Sequence, residues 1–521
     1  MKSLKFLPTV GRLLLIAFFV SITACENEIA DNTDPNVGIE TAEDDIPFEK
    51  IAENSFNILE NKYEPRPPVE APGEKPTKDA TSITSKSNAA PQWTVFRVNT
   101  NDRRNINYGL FGANNDWRFI PDSDFNRNFI PSMRNISGNG LRYPGGWESE
   151  YYDANTNTTP GWNNTPAQAG ASVNSLINND IGVLSIVIPT VDAMNRPLWD
   201  PTWWAAIQTL KTKANTIIDR VGAYRIDYVE IGNEWWLQWG GGVSRFDKVR
   251  KYGQIAKLLA RHLKQRYGND FKILVNGDYT VPSEFGTIKT IFGNELNNID
   301  GSALHPYAGY NSFTHNLNNL ENLINDCKYY LGRNYVTQSE WAPSKAYNNN
   351  RVYAQAANIM VDMFHKFART NSNAAAYWAP ENSTLPGLGL FNSTASNVNY
   401  PQAQIFKSMS DSFSGQAIYN SEDFGSQRQG IIKMASRISG KQVALWISGF
   451  DVGDTDVWID FPGRSVRSVW STIYYPSTYN GDQPQPMGHY YNDWWRSTTG
   501  IGVKLNSWRK YGIAFVILDL Y

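Results

Sequence analysis

The chain has 521 residues, 41% hydrophobic and 19% charged, which is enough apolar material for a large core and too little charge for a disordered chain. Its 48 Lys and Arg against 50 Asp and Glu leave a formal charge of −2, without the broad basic field that a nucleic-acid binder needs. Aromatic residues make up 13%, with 18 Trp and 27 Tyr; flat apolar faces among polar side chains suit the C–H face and hydroxyl rim of a sugar ring.

Residues 1–24 read as a secretory leader. Lys2, Lys5 and Arg12 are followed by a short apolar run and then by small residues. The run falls short of the roughly 20 residues a membrane span needs. Ile22-Thr23-Ala24-Cys25 resembles a bacterial lipobox, which implies a lipid anchor on Cys25 and an outer-membrane protein exposed at the cell surface. Losing the leader removes three cations and no acid, taking the formal charge from −2 to −5. Cys327 is the only other cysteine, so a lipidated Cys25 excludes an intrachain disulfide and a cysteine-rich metal site. Residues 25–92 read as a tether. Nine acids and no base lie between Glu26 and Glu49, and a Pro- and Ser/Thr-rich spacer follows. The acidic block resembles the surface-export signal of Bacteroidetes-type lipoproteins.

From about Thr94 short apolar strands alternate with amphipathic stretches. Strands are predicted at 108–113, 140–143, 183–189, 228–232, 272–276, 301–305, 335–338 and 374–378. Helices are predicted at 203–221, 247–267, 284–292, 316–331 and 351–370. Ile255, Leu258, Leu259 and Leu263 form one stripe on the second of these. The rhythm predicts an α/β fold, a (β/α)8 TIM barrel over 93–405. A doubly wound open sheet has a similar rhythm, but no Gly-x-Gly-x-x-Gly follows any strand. After about Phe406 only strand-like segments are read, so 406–521 is expected to be an antiparallel β-sandwich, with the strand 93–98 pairing into it.

Two carboxylates carry the chemistry. Glu234, in YVEIGNEWW, follows the fourth strand, and Glu340, in YVTQSEWAP, follows the seventh; each precedes a Trp. Facing each other at a barrel mouth, they fit glycoside cleavage, with one protonated to donate to the leaving oxygen and the other ionised to attack. Glu148 and Glu230 compete with them. Glu230 lies one pleat repeat deeper, whereas Glu148, after Gly145-Gly146, sits in a loop where it can bind sugar.

Asn233-Glu234 resembles the acid/base motif that ends strand four in glycoside hydrolase clan A, the retaining (β/α)8 glycosidases. Ser339-Glu340-Trp341 is similar to the clan's nucleophile motif on strand seven. Arg142, in LRYPGG, resembles its strand-two arginine, His305-Pro306-Tyr307 its His/Tyr position, and Trp378 its strand-eight aromatic. The resemblance implies a retaining hydrolase with Glu340 as nucleophile and Glu234 as acid/base. Asn233, Arg142, His305, Tyr307, Trp235, Trp236, Trp341 and Trp378 are then the substrate-binding residues. Arg142 and Tyr307 are expected to hold Glu340 ionised. Trp235, Trp236 and the charge of Glu340 are expected to keep Glu234 protonated.

Trp147, Trp162, Trp199 and Trp239 join the mouth tryptophans, and so many platforms imply a polymer. The expected partner is thus a polysaccharide or oligosaccharide joined by β-glycosidic bonds, with marine galactans of the agar and porphyran type or xylan as candidates. No cofactor and no catalytic metal are expected, and the protein is expected to be a monomer, with the N-terminal lipid as its membrane contact. The competing reading is a surface glycan-binding lipoprotein without turnover.

Overall fold

The computed structural model describes residues 93–520 apart from 163–167, 238–242, 310–315, 344–352, 382–388, 393–397, residue 400 and connections between the strands that follow Phe413. The leader, the tether, Cys25 and Trp239 lie outside the described residues.

Eight parallel strands close into a barrel: β1 (Gly112–Asn114), β2 (Gly140–Tyr143), β3 (Val183–Ile188), β4 (Tyr228–Ile231), β5 (Lys272–Gly277), β6 (Gly301–Leu304), β7 (Tyr335–Pro343) and β8 (Ala374–Tyr377). β8 pairs with both β1 and β7, which closes the ring. An α-helix follows each strand: α1 (Ile130–Asn135), α2 (Val173–Ile177), α3 (Pro201–Val221), α4 (Arg245–Tyr267), α5 (Ser283–Phe292), α6 (Leu320–Leu331), α7 (Tyr353–Arg369) and α8 (Pro401–Phe413).

The helices start where the sequence supplies caps. Asp200 accepts from Thr202 N at 2.8 Å ahead of Pro201, so α3 begins two residues before the predicted start. Ser244 accepts from Asp247 N at 3.1 Å and opens α4, whose predicted stripe is buried. Two elements differ from expectation. Tyr108–Phe111 is a 3-10 turn, and the first strand begins only at Gly112. Helices do not stop at Phe406: α8 continues to Phe413 and buries Phe406, Met409 and Phe413, a helical spacing inside a segment that reads as strand-like.

The strands after α8 form one continuous sheet of ten with Trp93–Asn105. That strand runs antiparallel to Ala417–Asp423 and parallel to Thr455–Asp460, so the chain passes through the sheet before it enters the barrel. The sheet rests on barrel helices: Ala444, Trp446, Ile513 and Phe515 share one apolar cluster with the barrel, and Asn358 on α7 donates to Gly512 O at 3.2 Å. Among the described residues no helix is long and apolar enough to cross a membrane.

Because Trp93–Asn105 is internal to the sheet, its loss leaves two strands without their shared partner. A chain starting at residue 106 is expected to lose cooperative thermal unfolding by circular dichroism, while one starting at residue 93 unfolds as the full chain does.

Candidate active site

The central groups of the site sit at the C-terminal ends of barrel strands or just beyond them. Arg142 on β2 is fully buried and reaches across the barrel floor. Its Nε donates to Glu230 Oε2 at 2.7 Å, Nη1 to Asn114 Oδ1 at 2.9 Å and Nη2 to Asn233 Oδ1 at 2.7 Å. Glu230, equally buried on β4, also accepts from Asn276 Nδ2 at 2.6 Å and Ser339 Oγ at 3.2 Å. A buried charge is tolerated only when paired and hydrogen-bonded in this way. Burial alone would raise the Glu230 pKa; Arg142 and then His305 outweigh it and bring it down to about 2.

Above this floor the two catalytic candidates meet at one histidine. His305 Nδ1 lies 2.7 Å from Glu340 Oε2 and 3.1 Å from Glu234 Oε1, and its Nε2 lies 3.2 Å from Glu230 Oε1. One oxygen of each of Glu234 and Glu340 and a ring nitrogen of His305 fall within 4.8 Å of one another. Burial disfavours the imidazolium, but Glu340 above all, then Glu230 and Glu234, raise the His305 pKa well above its ordinary value. As imidazolium the ring donates from Nδ1 to Glu234 and from Nε2 to Glu230, with Glu340 Oε2 as the closest ionic neighbour of Nδ1.

The two carboxyls are thereby pushed apart in acidity. For Glu340 burial would raise the pKa, but His305 and then Arg142 hold it below the ordinary carboxylate value. Glu234 is raised, first by burial and then by the charge of Glu340, against the opposing pull of His305. The sequence assigned the supporting cation to Arg142, with Tyr307 beside it. Arg142 is mainly the partner of Glu230 and lies 3.9 Å from Glu340, so His305 is the nearer cation. Tyr307 is close enough to Glu340 that burial and then that carboxylate raise its phenol well above the usual range.

Local backbone explains which side chains reach the mouth. Glu234 takes a left-handed conformation, φ 47°, right after β4. Side chains hold that turn: Asn276 Oδ1 accepts from Glu234 N at 2.8 Å, and Glu150 accepts from Asn233 N. Glu150 also accepts from Val191 N at 2.8 Å and from Thr190 N, which ties the ends of β3 and β4 together. Gly232, at φ +79°, is needed because an added Cβ would lie 3.0 Å from Thr190 Oγ1.

The site tryptophans divide. Trp378 is half-buried, edge-on to Tyr307 at 6.0 Å, and Trp236 is half-buried against His305 at 6.0 Å, so both remain at the mouth. Trp147 and Trp162 are half-buried together, and Trp199 is exposed beside Trp203 and Trp204. Trp235 and Trp341 do not face the mouth. β7 extends through Pro343, because its end pairs with a short strand, Tyr307–Ala308, so Glu340 and Trp341 are consecutive strand residues on opposite faces. Trp341 packs outward on Phe367 and Tyr377. Trp235 stacks on Tyr252 at 5.0 Å and donates Nε1–H to Asn276 O.

No protein-family model and no curated protein sequence matches the chain. Solved structures do resemble it, over more of the chain than the barrel occupies. A GH51 arabinofuranosidase from Xanthomonas axonopodis pv. citri has a TM-score of 0.58 at 13% identity, covering 83% of this chain and 100% of its own. A GH30 endoxylanase from Clostridium papyrosolvens C71 has 0.53 at 13%, covering 82% and 100%. A GH86 protein solved with neoagarooctaose has 0.55 at 12%, covering 82% and 78%. The fold is the (β/α)8 barrel. These structural neighbours are clan A glycoside hydrolases.

Asn276, Asn114 and Glu150 are site residues that the sequence reading passed over. Asn114 ends β1 opposite Arg142, and Asn276 is the penultimate residue of β5, positions that strand parity marks once the ends are known. Glu150 lies in the loop after β2 and has no signal in the sequence. The group Glu234, His305 and Glu340 also has the composition of a metal site, in which His305 would have to give up its proton to ligate.

Two outcomes follow. Trp341→Ala is expected to destabilise the fold by about 3–5 kcal/mol in denaturant titration, as a core residue and not a sugar platform would. Glu230 has its folded pKa depressed from 4.5 to about 2. Its contribution, about 3 kcal/mol, is present above the unfolded value and lost as pH falls from 4.5 toward 2. The stability difference between wild type and Glu230→Gln should shrink over that interval.

Proposed function

We propose that the protein is a retaining glycoside hydrolase that cleaves β-glycosidic bonds in a polysaccharide. The observation that carries this reading is the pair Glu234 and Glu340. Their nearest oxygens lie within 4.8 Å, on β7 and just after β4, with acidities driven in opposite directions. Retention needs carboxyl groups about 5–5.5 Å apart, and inversion about 6.5–9.5 Å to admit a water. The structural likeness to an arabinofuranosidase, an endoxylanase and a protein solved with neoagarooctaose supports the substrate class.

In the first step ionised Glu340 attacks the anomeric carbon while protonated Glu234 gives its proton to the departing glycosidic oxygen. The leaving alcohol departs and a glycosyl ester remains on Glu340. In the second step Glu234, now a carboxylate, takes a proton from water as the water oxygen attacks the same carbon and frees Glu340. In this reading Asn233, held by Arg142, bonds the sugar 2-hydroxyl, and Trp378 and Trp236 offer apolar faces to the rings. The half-buried tryptophans of the mouth loops favour a long substrate, of which agar-type galactans and xylan are examples. The protein works as a monomer, lipid-anchored through Cys25 to the outer membrane and exposed at the cell surface. Cys25→Ala should move it from the membrane fraction to the soluble one.

Glu340→Ala is expected to abolish turnover of every substrate. Glu234→Ala should slow natural linkages far more than activated aryl glycosides, and azide should restore part of its activity as a glycosyl azide of retained configuration. The rate should fall on the acid side as Glu340 takes a proton and on the basic side as Glu234 loses one. Chelators should leave activity unchanged. Early products of inverted configuration in proton NMR, or full activity in Glu340→Ala, would sink the assignment.

A further inference from the structure

Among the described residues that leave a large apolar side chain in water, Trp199 is the only tryptophan. It lies in the loop between β3 and α3, 40% exposed, with a left-handed backbone at φ 65°. Both features work against the fold. A bulky side chain at positive φ strains the chain, and an open indole forgoes apolar burial. Backbone strain of this kind collects at ligand clamps, where function keeps it in place.

Packing accounts for part of this side chain and not for the rest. Trp199 precedes Asp200, the N-cap of α3, and its ring lies 4.9 Å from Trp203 and 5.5 Å from Trp204. An apolar residue before the cap that packs on the fourth helical position is a hydrophobic staple, and Trp204 holds that position. A staple needs an aliphatic side chain and covers it. It needs neither an indole nor one left open. Trp203 and Trp204 are themselves buried, so the open ring rests on a rigid bed. A flat apolar face held at a fixed angle, with an N–H at its edge, suits the C–H face and the hydroxyls of a sugar ring.

The loop lies at the same end of the barrel as Glu234 and Glu340, because it follows the C-terminal end of β3. It is also tied to the active-site mouth. Lys251 on α4 donates to Arg196 O, and Lys248, one turn earlier on the same face of α4, donates to Trp236 O at 3.1 Å. The loop bearing Trp199 and the turn bearing Trp236 are thus clamped to one helix. Leu237, next to Trp236, is exposed as well, and Asn195 and Arg196 offer exposed polar groups on the Trp199 loop. We propose that Trp199 is the stacking platform of a distal subsite, where a sugar of the same polysaccharide chain binds away from the bond that is cleaved. The proposal rests on the glycosidase reading and deepens it: the enzyme draws binding energy from remote units and so prefers long chains to short fragments.

Chain length gives the readout. Wild type, Trp199→Leu and Trp199→Tyr would be assayed on oligosaccharides of agarose and of xylan, from disaccharide to octasaccharide, with thermal unfolding followed in parallel. Both variants keep an apolar staple, so both should unfold near the wild-type temperature; only Tyr keeps an aromatic face. Trp199→Leu should raise KM for the longest oligosaccharides about 10-fold, a loss of about 1.4 kcal/mol, with kcat unchanged. It should leave the shortest cleavable substrate as in wild type. Trp199→Tyr should stay close to wild type at every length. A merely structural Trp199 would make Leu and Tyr behave alike and would change all lengths together. If Trp199→Leu alters no KM, or alters all lengths equally, the subsite is wrong while the hydrolase stands. The same holds if it weakens only retention on insoluble polymer, which would make Trp199 a separate surface contact. If wild type cuts none of these oligosaccharides, the hydrolase reading fails and the subsite with it.

Discussion

The buried ion pair between Arg142 and Glu230 is the constraint on which the site depends. Two full charges lie with no exposure beneath the barrel mouth, and each ion taken from water costs several kcal/mol unless it is met by good geometry. The protein meets that condition with side chains from five strand ends: Asn114 from β1, Asn233 from beyond β4, Asn276 from β5, His305 from beyond β6 and Ser339 from β7. The same bonds that satisfy the pair also fix the groups above it. Asn276 bonds Glu230 with its amide N–H and the backbone of Glu234 with its carbonyl; Arg142 bonds Glu230 and orients Asn233. Glu230 is thus a foundation for the pair Glu234 and Glu340 and not a competitor to it.

The pair itself is aimed by two different backbone devices. Glu340 reaches the mouth where β7 carries one more residue than β8 opposite it, between Gln338 and Trp341, so that Ser339 and Glu340 both turn inward and Trp341 goes into the outer core. Glu234 reaches it through a left-handed residue, a conformation that costs of order 1–3 kcal/mol and persists where surrounding bonds over-determine it. Glu150 and Asn276 supply those bonds. A bulged strand end positions one carboxylate and a strained, side-chain-braced turn positions the other.

This contrast explains what could be read from the sequence. The barrel was legible because apolar strands and amphipathic helices carry period and length along the chain, and α4 shows the stripe at the residues expected. Glu234 and Glu340 stood out because each falls at a strand end beside Trp. The pointing of those Trp residues was not legible, since it turns on β7 running five residues past its expected end, to Pro343, and on the local φ of Glu234. The helix α8 was missed because its apolar residues at 406, 409 and 413 adjoin a strand-rich tail. Glu150 was invisible for a deeper reason: its role is to accept backbone N–H groups some 40 and 83 residues away, and such contacts exist only once the fold does.

The charge balance of the site also carries an argument about sequence of events. With Glu234 protonated, the anions Glu230 and Glu340 face the cations Arg142 and His305, and the buried cluster is neutral as a whole. In the proposed mechanism the glycosyl ester consumes the charge of Glu340, the largest single influence holding His305 protonated and the charge that raises Glu234. The cluster is then left with two cations and one anion in a low-dielectric site, where the imbalance acts strongly. A negative charge on Glu234, 3.1 Å from the His305 ring, restores neutrality. Formation of the ester therefore drives the loss of the Glu234 proton that the second step requires, and return of the charge to Glu340 drives its recovery. His305 connects the two events, because one ring nitrogen faces both carboxylates and serves whichever is ionised.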